Sequence, residues 1–310
     1  MTAPVPTRPR RLAYLGNPAI AVAPLLALHE ASDRLGTEVV VVVTAEDRRR
    51  SRGGQPTPTP VGIAAADLGL PVVHGLDAAV DSGADLGVVV AYGRIIPVSV
   101  LDSLPMLNLH FSLLPRWRGA APVERALLAG DAETGVCLMD VVEELDAGAV
   151  RGRVVTPVGP DESADELRKR LAGLGSTLLV DALAAGISEG EPQMGEPTWA
   201  YKIGREDLRM DWSRSSDELH RVVRVGGAYT TFQGEPFKVW QVTPCGLPDA
   251  GAVVGELVGD VVAVGSGCGS ASGEGGGLRL VEVQPANRPR MSFDAWAAGA
   301  RPITGQVLGT

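Results

Sequence analysis

The sequence predicts an α/β chain, with a Rossmann-like, parallel-rich sheet in its first part and a small open β-barrel in its second. Three observations carry this reading. Apolar, β-branched runs alternate with segments of helical period through the first 185 or so residues. A Gly-, Pro- and Glu-rich stretch without periodicity follows. Beyond it, short strand-like runs are separated by Gly-rich turns. The expected division is a first domain over 1–189, a linker over 190–204 and a barrel over 205–310.

Arg11 to Gly16 reads as the first strand, and Pro18 to Leu35 as a helix opened by proline, where a missing N–H costs nothing. Glu38 to Thr44 carries five successive valines, which suits a strand covered on both faces. A helix at Val61 to Leu68, a short strand at Pro71 to His74, a buried strand at Asp85 to Tyr92 and a helix near Val98 to Ser103 come next. The strand Met106 to His110, the helix Pro122 to Ala129 and the strand Gly135 to Val142 continue the βαβ series, which argues for mainly parallel strands with helices on both faces. A helix from Asp165 to Ala185 closes the domain. In the second part, a helix near Ser216 to Val225 precedes strands at Phe237 to Val242, Gly251 to Leu257, Val261 to Gly265 and Leu278 to Gln284. GSGCGSASGEGGG, between the last two, reads as a long flexible hairpin loop.

Composition excludes several classes. No apolar run approaches the roughly 20 residues of a bilayer span, and MTAPVPTRPRR leads straight into a strand without a secretory core. A cytoplasmic protein with no membrane attachment is expected, and a monomer. Cys137, Cys245 and Cys268 are widely spaced, odd in number and form no C-x-x-C, against both a disulfide framework and a zinc site; no metal is expected. The turn Leu15-Gly16-Asn17-Pro18 has one glycine where G-x-G-x-x-G needs three, which excludes a dinucleotide cofactor. A net charge of −9 opposes binding of RNA over the whole surface. The segment Asp47-Arg48-Arg49-Arg50-Ser51-Arg52 nonetheless gathers four arginines in one place, where a solvated charge run would carry the same letters.

Chemistry concentrates in NLHFSLLPRWRGAAP, Asn108 to Pro122. Residues i and i+2 of a strand leave on one face, so Asn108 and His110 project together while Leu107 and Leu109 point into a core. An amide donor beside an imidazole suits acyl transfer, in which an oxyanion needs a hydrogen bond and an attacking amine must lose a proton. A strand end capped by polar residues fits the same pair.

SLLPRWRGAAP closely resembles the signature loop of the 10-formyltetrahydrofolate-dependent formyltransferases, and its RWRGAAP ending is similar to the methionyl-tRNA formyltransferase family. The resemblance implies a third catalytic residue, Asp146, in Glu144-Leu145-Asp146-Ala147-Gly148, where the family usually reads GLDTG. Glu144 and Ala147 depart from that pattern, and Asn17, Ala19 and Ile20 depart from it in the first turn. On the letters alone, Asp146 would be a turn-forming Asp ahead of glycine. VVVAYGRIIP, Val88 to Pro97, matches the family's stretch along the folate pocket. Folate binding is accordingly expected at Arg94, Ile95 and Ile96 and at Ser112, Leu113, Leu114 and Pro115. YKIGREDLRMDWSRSSDELHRVVR, GAYTTFQGEPFKVW and VEVQPANRPRMSFDAW resemble the family's carboxyl-terminal barrel of the oligonucleotide-binding (OB-like) type.

What the resemblance implies is transfer of a formyl group from 10-formyltetrahydrofolate to the α-amine of initiator methionyl-tRNA, without a metal. Contacts to the tRNA are expected from Arg48, Arg49, Arg50 and Arg52 in the arginine segment and from Lys202, Arg205, Lys238, Arg288 and Arg290 in the second part. Two other functions stay open at this level: a formyltransferase acting on an amino sugar or other small amine, and a non-catalytic RNA-binding relative.

Overall fold

The computed structural model describes residues 3–49, 55–247, 251–265, 276–303 and 305–309. Two compact units divide the chain. The first comprises Met1–Val123, Glu133–Pro157 and Glu166–Tyr201, and the second Glu124–Ala132, Val158–Asp165 and Lys202–Thr310. Among the described residues no helix is long and apolar enough to cross a membrane.

The elements begin with β1 (Arg11–Gly16), α1 (Val22–Leu35), β2 (Glu38–Val43), β3 (Arg48–Arg49), β4 (Pro56–Thr57), α2 (Pro60–Asp67), β5 (Val72–Val73) and α3 (Leu76–Asp81). They continue with β6 (Leu86–Val90), α4 (Val98–Leu101), β7 (Met106–His110), β8 (Arg118–Gly119), α5 (Pro122–Ala129), β9 (Glu133–Asp140), β10 (Val150–Pro157), α6 (Ala164–Ala185) and β11 (Trp199–Ala200). Seven strands form one sheet, ordered β10-β9-β7-β6-β1-β2-β5. Within the run β7-β6-β1-β2-β5 every adjacent pair is parallel. β9 does not continue that series: it pairs antiparallel with β7, and β10 is antiparallel to β9. Hydrophobic pattern identifies a strand but carries no information on its direction, which the path of the chain between β7 and β9 sets.

The fully buried LGVVV of β6 occupies the centre, and the valine run of β2, one strand in from the edge, is mostly buried, as suits strands covered on both faces. Ala13 and Leu15 pack on one side with Ala79 of α3 and with Val100 and Leu101 of α4. Leu12 and Tyr14 are equally buried on the other. Part of the segment read as a linker belongs to the first unit. Glu191 and Val150 exchange backbone hydrogen bonds of 2.9 and 2.8 Å, and β11 pairs with β8. This order comes from pairing with distant backbone, which leaves no local periodicity.

The second unit holds α7 (Ser216–Val225), β12 (Tyr229–Phe232), β13 (Glu235–Gly246), β14 (Leu257–Val258), β15 (Val261–Ala263), β16 (Gly276–Pro285), β17 (Met291–Ser292) and α8 (Phe293–Ala300). Its sheet, β12-β13-β16-β15-β14 with β17 on β16, is antiparallel throughout. A strand expected over Gly251 to Leu257 is reduced to Leu257 and Val258, and β12 and α8 were not anticipated. Phe237, Phe293 and Trp296 form its core, with Phe232 packed against them. α7 opens with a capping box: Ser215 Oγ accepts from the Glu218 N–H, and Glu218 Oε2 accepts from the Ser215 N–H. The hairpin loop GSGCGSASGEGGG lies almost wholly outside the described residues, Cys268 with it.

Candidate active site

Asn108 and His110 stand on one face at the carboxyl end of β7, beside the parallel β6, the place where open α/β sheets bind ligands. Leu107 and Leu109 are buried on the other face and fix the strand's rotation. The Asn108 amide is partly exposed and makes no hydrogen bond among the described residues. His110 is buried, with Nε2 2.8 Å from the carbonyl oxygen of Trp117. A carbonyl only accepts, so Nε2 carries the hydrogen. Nδ1 therefore faces Asp146, whose Oδ2 lies 3.7 Å away, within ion-pair range and slightly beyond hydrogen-bond reach.

Asp146 is presented by a loop after β9 and adopts a left-handed backbone conformation, φ 51°, which Asp tolerates better than most residues. Its Oδ2 accepts the Gly119 N–H at 2.8 Å, so the carboxylate is aimed by backbone as well as by His110. Gly119 has φ 121°, and a Cβ there would meet the Ala200 carbonyl. At Gly148 a Cβ would lie 1.9 Å from the Asp140 carbonyl oxygen, so the turn after Asp146 admits only glycine. Glu144, where the resembling family has glycine, pairs with the buried Arg118: its Oε1 accepts from Nη1 at 2.9 Å.

Two residues without an expected role complete the arrangement. Arg118 donates from Nε and Nη2 to Gln193 Oε1, at 3.1 and 2.8 Å. Gln193 in turn donates from Nε2 to the carbonyls of Asp146 and Gly148, at 2.8 and 2.9 Å. Gln193 sits in a stretch whose Gly and Pro content reads as a linker, and no sequence pattern distinguishes it. Asn17 ties the neighbouring strand ends, accepting the Ala45 N–H at 2.6 Å and donating to the Tyr92 carbonyl. Cys137, opposite His110 in the β7–β9 register, is fully buried, and burial raises its thiol. It stays protonated at neutral pH and offers no nucleophile.

The residues expected at the folate divide between surface and core. Arg94 and Ile95 are exposed, Ile95 by 86%. Ile96 is buried in the core beneath β1, and Leu114 packs with Cys137, Met139 and Val150. Ser112 is fully buried and donates to the Arg116 carbonyl at 2.7 Å, while Leu113 and Pro115 are half-buried. The side chains of Ile96, Leu114 and Ser112 thus pack inward and shape the loop.

Of the residues expected at the tRNA, Arg48 and Arg49 form β3, paired with Thr57 and Pro56, whereas Arg50 and Arg52 lie outside the described residues. Lys202, Arg205, Lys238, Arg288 and Arg290 are all exposed. Three of them lie over aromatic rings: Arg205 over Tyr229 at 4.9 Å, and Lys238 and Arg290 over Trp240 at 5.6 and 4.9 Å. Tyr229, Lys238 and Gln284 are direct register partners on β12, β13 and β16, so one row crosses the sheet. Arg290 also pairs with Glu282.

Amide, imidazole and carboxylate gathered at a strand end, with no nucleophile among them, define a site for general base and oxyanion chemistry. Comparison with known families gives the family of the chain. Residues 10–183 match the formyl transferase family, and residues 202–301 match the formyl transferase C-terminal domain. A methionyl-tRNA formyltransferase of Leifsonia xyli is 42% identical over 94% of this chain and 97% of its own length. One from Heliobacterium modesticaldum is 39% identical over 96% and 100%. The chain belongs to the formyl transferase family and, within it, to the methionyl-tRNA formyltransferases. Solved structures share the fold at low identity. The N-formyltransferase of Helicobacter canadensis, bound to folinic acid and dTDP-3-aminofucose, aligns with TM-score 0.64 at 16% identity over 87% of this chain and 99% of that one. HypX of Aquifex aeolicus, bound to tetrahydrofolic acid, aligns with TM-score 0.61 at 18% identity over 94% of this chain and 47% of that one.

Proposed function

We propose that the chain moves the formyl group of 10-formyltetrahydrofolate onto the α-amine of initiator methionyl-tRNA, in the cytoplasm and as a monomer. The observation that carries the proposal is the convergence of Asn108, His110 and Asp146, with the Asn108 amide unengaged among the described residues. As the amine attacks the formyl carbon, charge develops on the formyl oxygen. The Asn108 Nδ2–H is free to receive it, in a place where a preorganised donor acts with little reorganisation. The amine must shed a proton, and His110 Nδ1 is the ring nitrogen left without a hydrogen when Nε2–H donates to the Trp117 carbonyl. Asp146 stabilises the imidazolium that results, while the Gly119 N–H keeps its Oδ2 in place; as the intermediate collapses the C–N10 bond breaks, the proton is returned to N10, and tetrahydrofolate leaves. The folate is held by the loop backbone of Arg94, Ile95 and Ile96 and of Ser112 to Pro115.

Arg48, Arg49, Arg50 and Arg52 meet the tRNA from the first unit, and Lys202, Arg205, Lys238, Arg288 and Arg290 from the second. The row of cations over Tyr229 and Trp240 supports this: arginine and lysine stacked on rings supply phosphate contacts along one track despite the net negative charge. The test mixes protein and 10-formyltetrahydrofolate with methionyl-tRNA or with a nucleotide-linked amino sugar and quantifies formyl product by mass spectrometry. Product on the tRNA alone is expected, and reversal of Arg48 and Arg49 to Glu should raise the KM for tRNA. Formylation of the sugar with indifference to that reversal would replace the proposal by small-amine transfer.

A further inference from the structure

We infer that Gln193 is a positioning residue for the active-site carboxylate, clamping the Asp146 loop to Arg118 so that Oδ2 stays turned toward His110. The inference rests on the formyl-transfer reading and deepens it with a residue that contacts no reacting atom. Its amide orientation is fixed by its partners. The guanidinium of Arg118 can only donate and the carbonyls of Asp146 and Gly148 can only accept, so Oε1 must face the first and Nε2 the others. Both N–H groups and both lone pairs of the amide are thereby used.

The clamp works on two loops that meet twice. Arg118, buried to 8% exposure, is followed directly by Gly119, whose N–H holds Asp146 Oδ2. Gln193 fastens the same Arg118 to the carbonyls on either side of Ala147. Asp146 occupies a left-handed conformation that must be held from outside, and Gln193 holds its carbonyl. Glu144 adds a partner for the remaining side of Arg118, but its own side chain is 70% exposed, whereas Gln193 is half-buried and so the better-shielded half of the brace. Removing Gln193 leaves the guanidinium and two carbonyls short of partners and frees the loop to carry Asp146 away from His110.

The experiment compares full-length wild type with Gln193→Ala and Gln193→Glu. The glutamate variant keeps an acceptor for Arg118 but sets a carboxylate oxygen against the Asp146 and Gly148 carbonyls, so it separates the two sides of the clamp. Both variants should lose roughly 10- to 100-fold in kcat, the scale of a displacement of about 1 Å at a catalytic group. KM for both substrates should stay within about threefold. On an Asp146→Asn background, Gln193→Ala should add less than about threefold, because the group it positions is already disabled. Amide hydrogen exchange at Ala147 and Gly148 should quicken in both single variants. Wild-type kcat in Gln193→Glu, or an undiminished loss on the Asp146→Asn background, would overturn the inference. If Gln193→Ala does not fold, Gln193→Glu decides. Absence of wild-type turnover would strike the formyl-transfer reading alone, and hydrogen exchange would still test the clamp.

Discussion

Replacing Asn108 by alanine isolates the oxyanion contact from everything else the strand does. The side chain is partly exposed and bonds to nothing described, so its removal opens no cavity and orphans no partner. Stability should change by no more than about 0.5 kcal/mol, the range of surface substitutions. Losing one preorganised oxyanion donor costs about 2.7 to 4 kcal/mol of barrier, which corresponds to a roughly 100- to 1,000-fold fall in turnover. Because the contact strengthens only as charge develops, kcat and kcat/KM should fall together with KM nearly constant. Steady-state formation of formylmethionyl-tRNA, read beside a thermal melt of the same preparation, measures both. Turnover within about threefold of wild type would refute the assignment of the amide to the oxyanion, and so would a loss explained by unfolding.

Four further outcomes follow from the same structure. His110→Ala should lower turnover by about 100-fold or more while folate affinity, followed by fluorescence titration, is largely kept; a parallel loss of folate binding would assign the ring to the pocket instead. Gly148→Ala forces a methyl group onto the Asp140 carbonyl and should destabilise the first unit by about 1 to 3 kcal/mol in urea melts. In the second unit, hydrogen bonds from Arg125 hold the Asp207 carboxyl below its ordinary range. The folded state thus resists protonation, and this stabilisation is complete above about pH 4 and lost as pH falls through the lowered value. Arg125→Ala should cost about 1 kcal/mol at neutral pH, allowing for partial exposure, and should flatten the acid limb of stability; parallel limbs would contradict the pairing. Affinity for tRNA should fall steeply and linearly with log salt, less so once Lys238 and Arg290 are neutralised; a salt-independent constant would count against the cation row.

Where the sequence speaks through local pattern, it anticipated the fold closely. β7 falls on Met106 to His110 because alternation and the following Pro-rich loop bound it, and α7 begins where its serine and glutamate spell a capping box. β10 escaped because Val150 to Pro157 alternates imperfectly, with a register shift between Val150 and Gly152. β9 was legible as a strand but not in its direction. The site divides in the same way. Asn108 and His110 announce themselves by spacing on one strand, and Asp146 through resemblance to a family motif. Gln193 acts through hydrogen bonds to two backbone carbonyls, and Arg118 through bonds to Glu144 and, across 75 residues of sequence, to Gln193; such bonds impose no pattern on their neighbours. Gln193, set between Pro192 and Gly195, carries the composition of a linker while serving as a brace.

The most direct test is a crystal structure of the protein with a non-transferable analogue of 10-formyltetrahydrofolate. The formyl oxygen should lie about 2.7 to 3.1 Å from Asn108 Nδ2, with His110 and Asp146 paired behind the carbon. A formyl group bound more than about 6 Å from that amide, or an Asp146 turned away from the imidazole in the complex, would contradict the account.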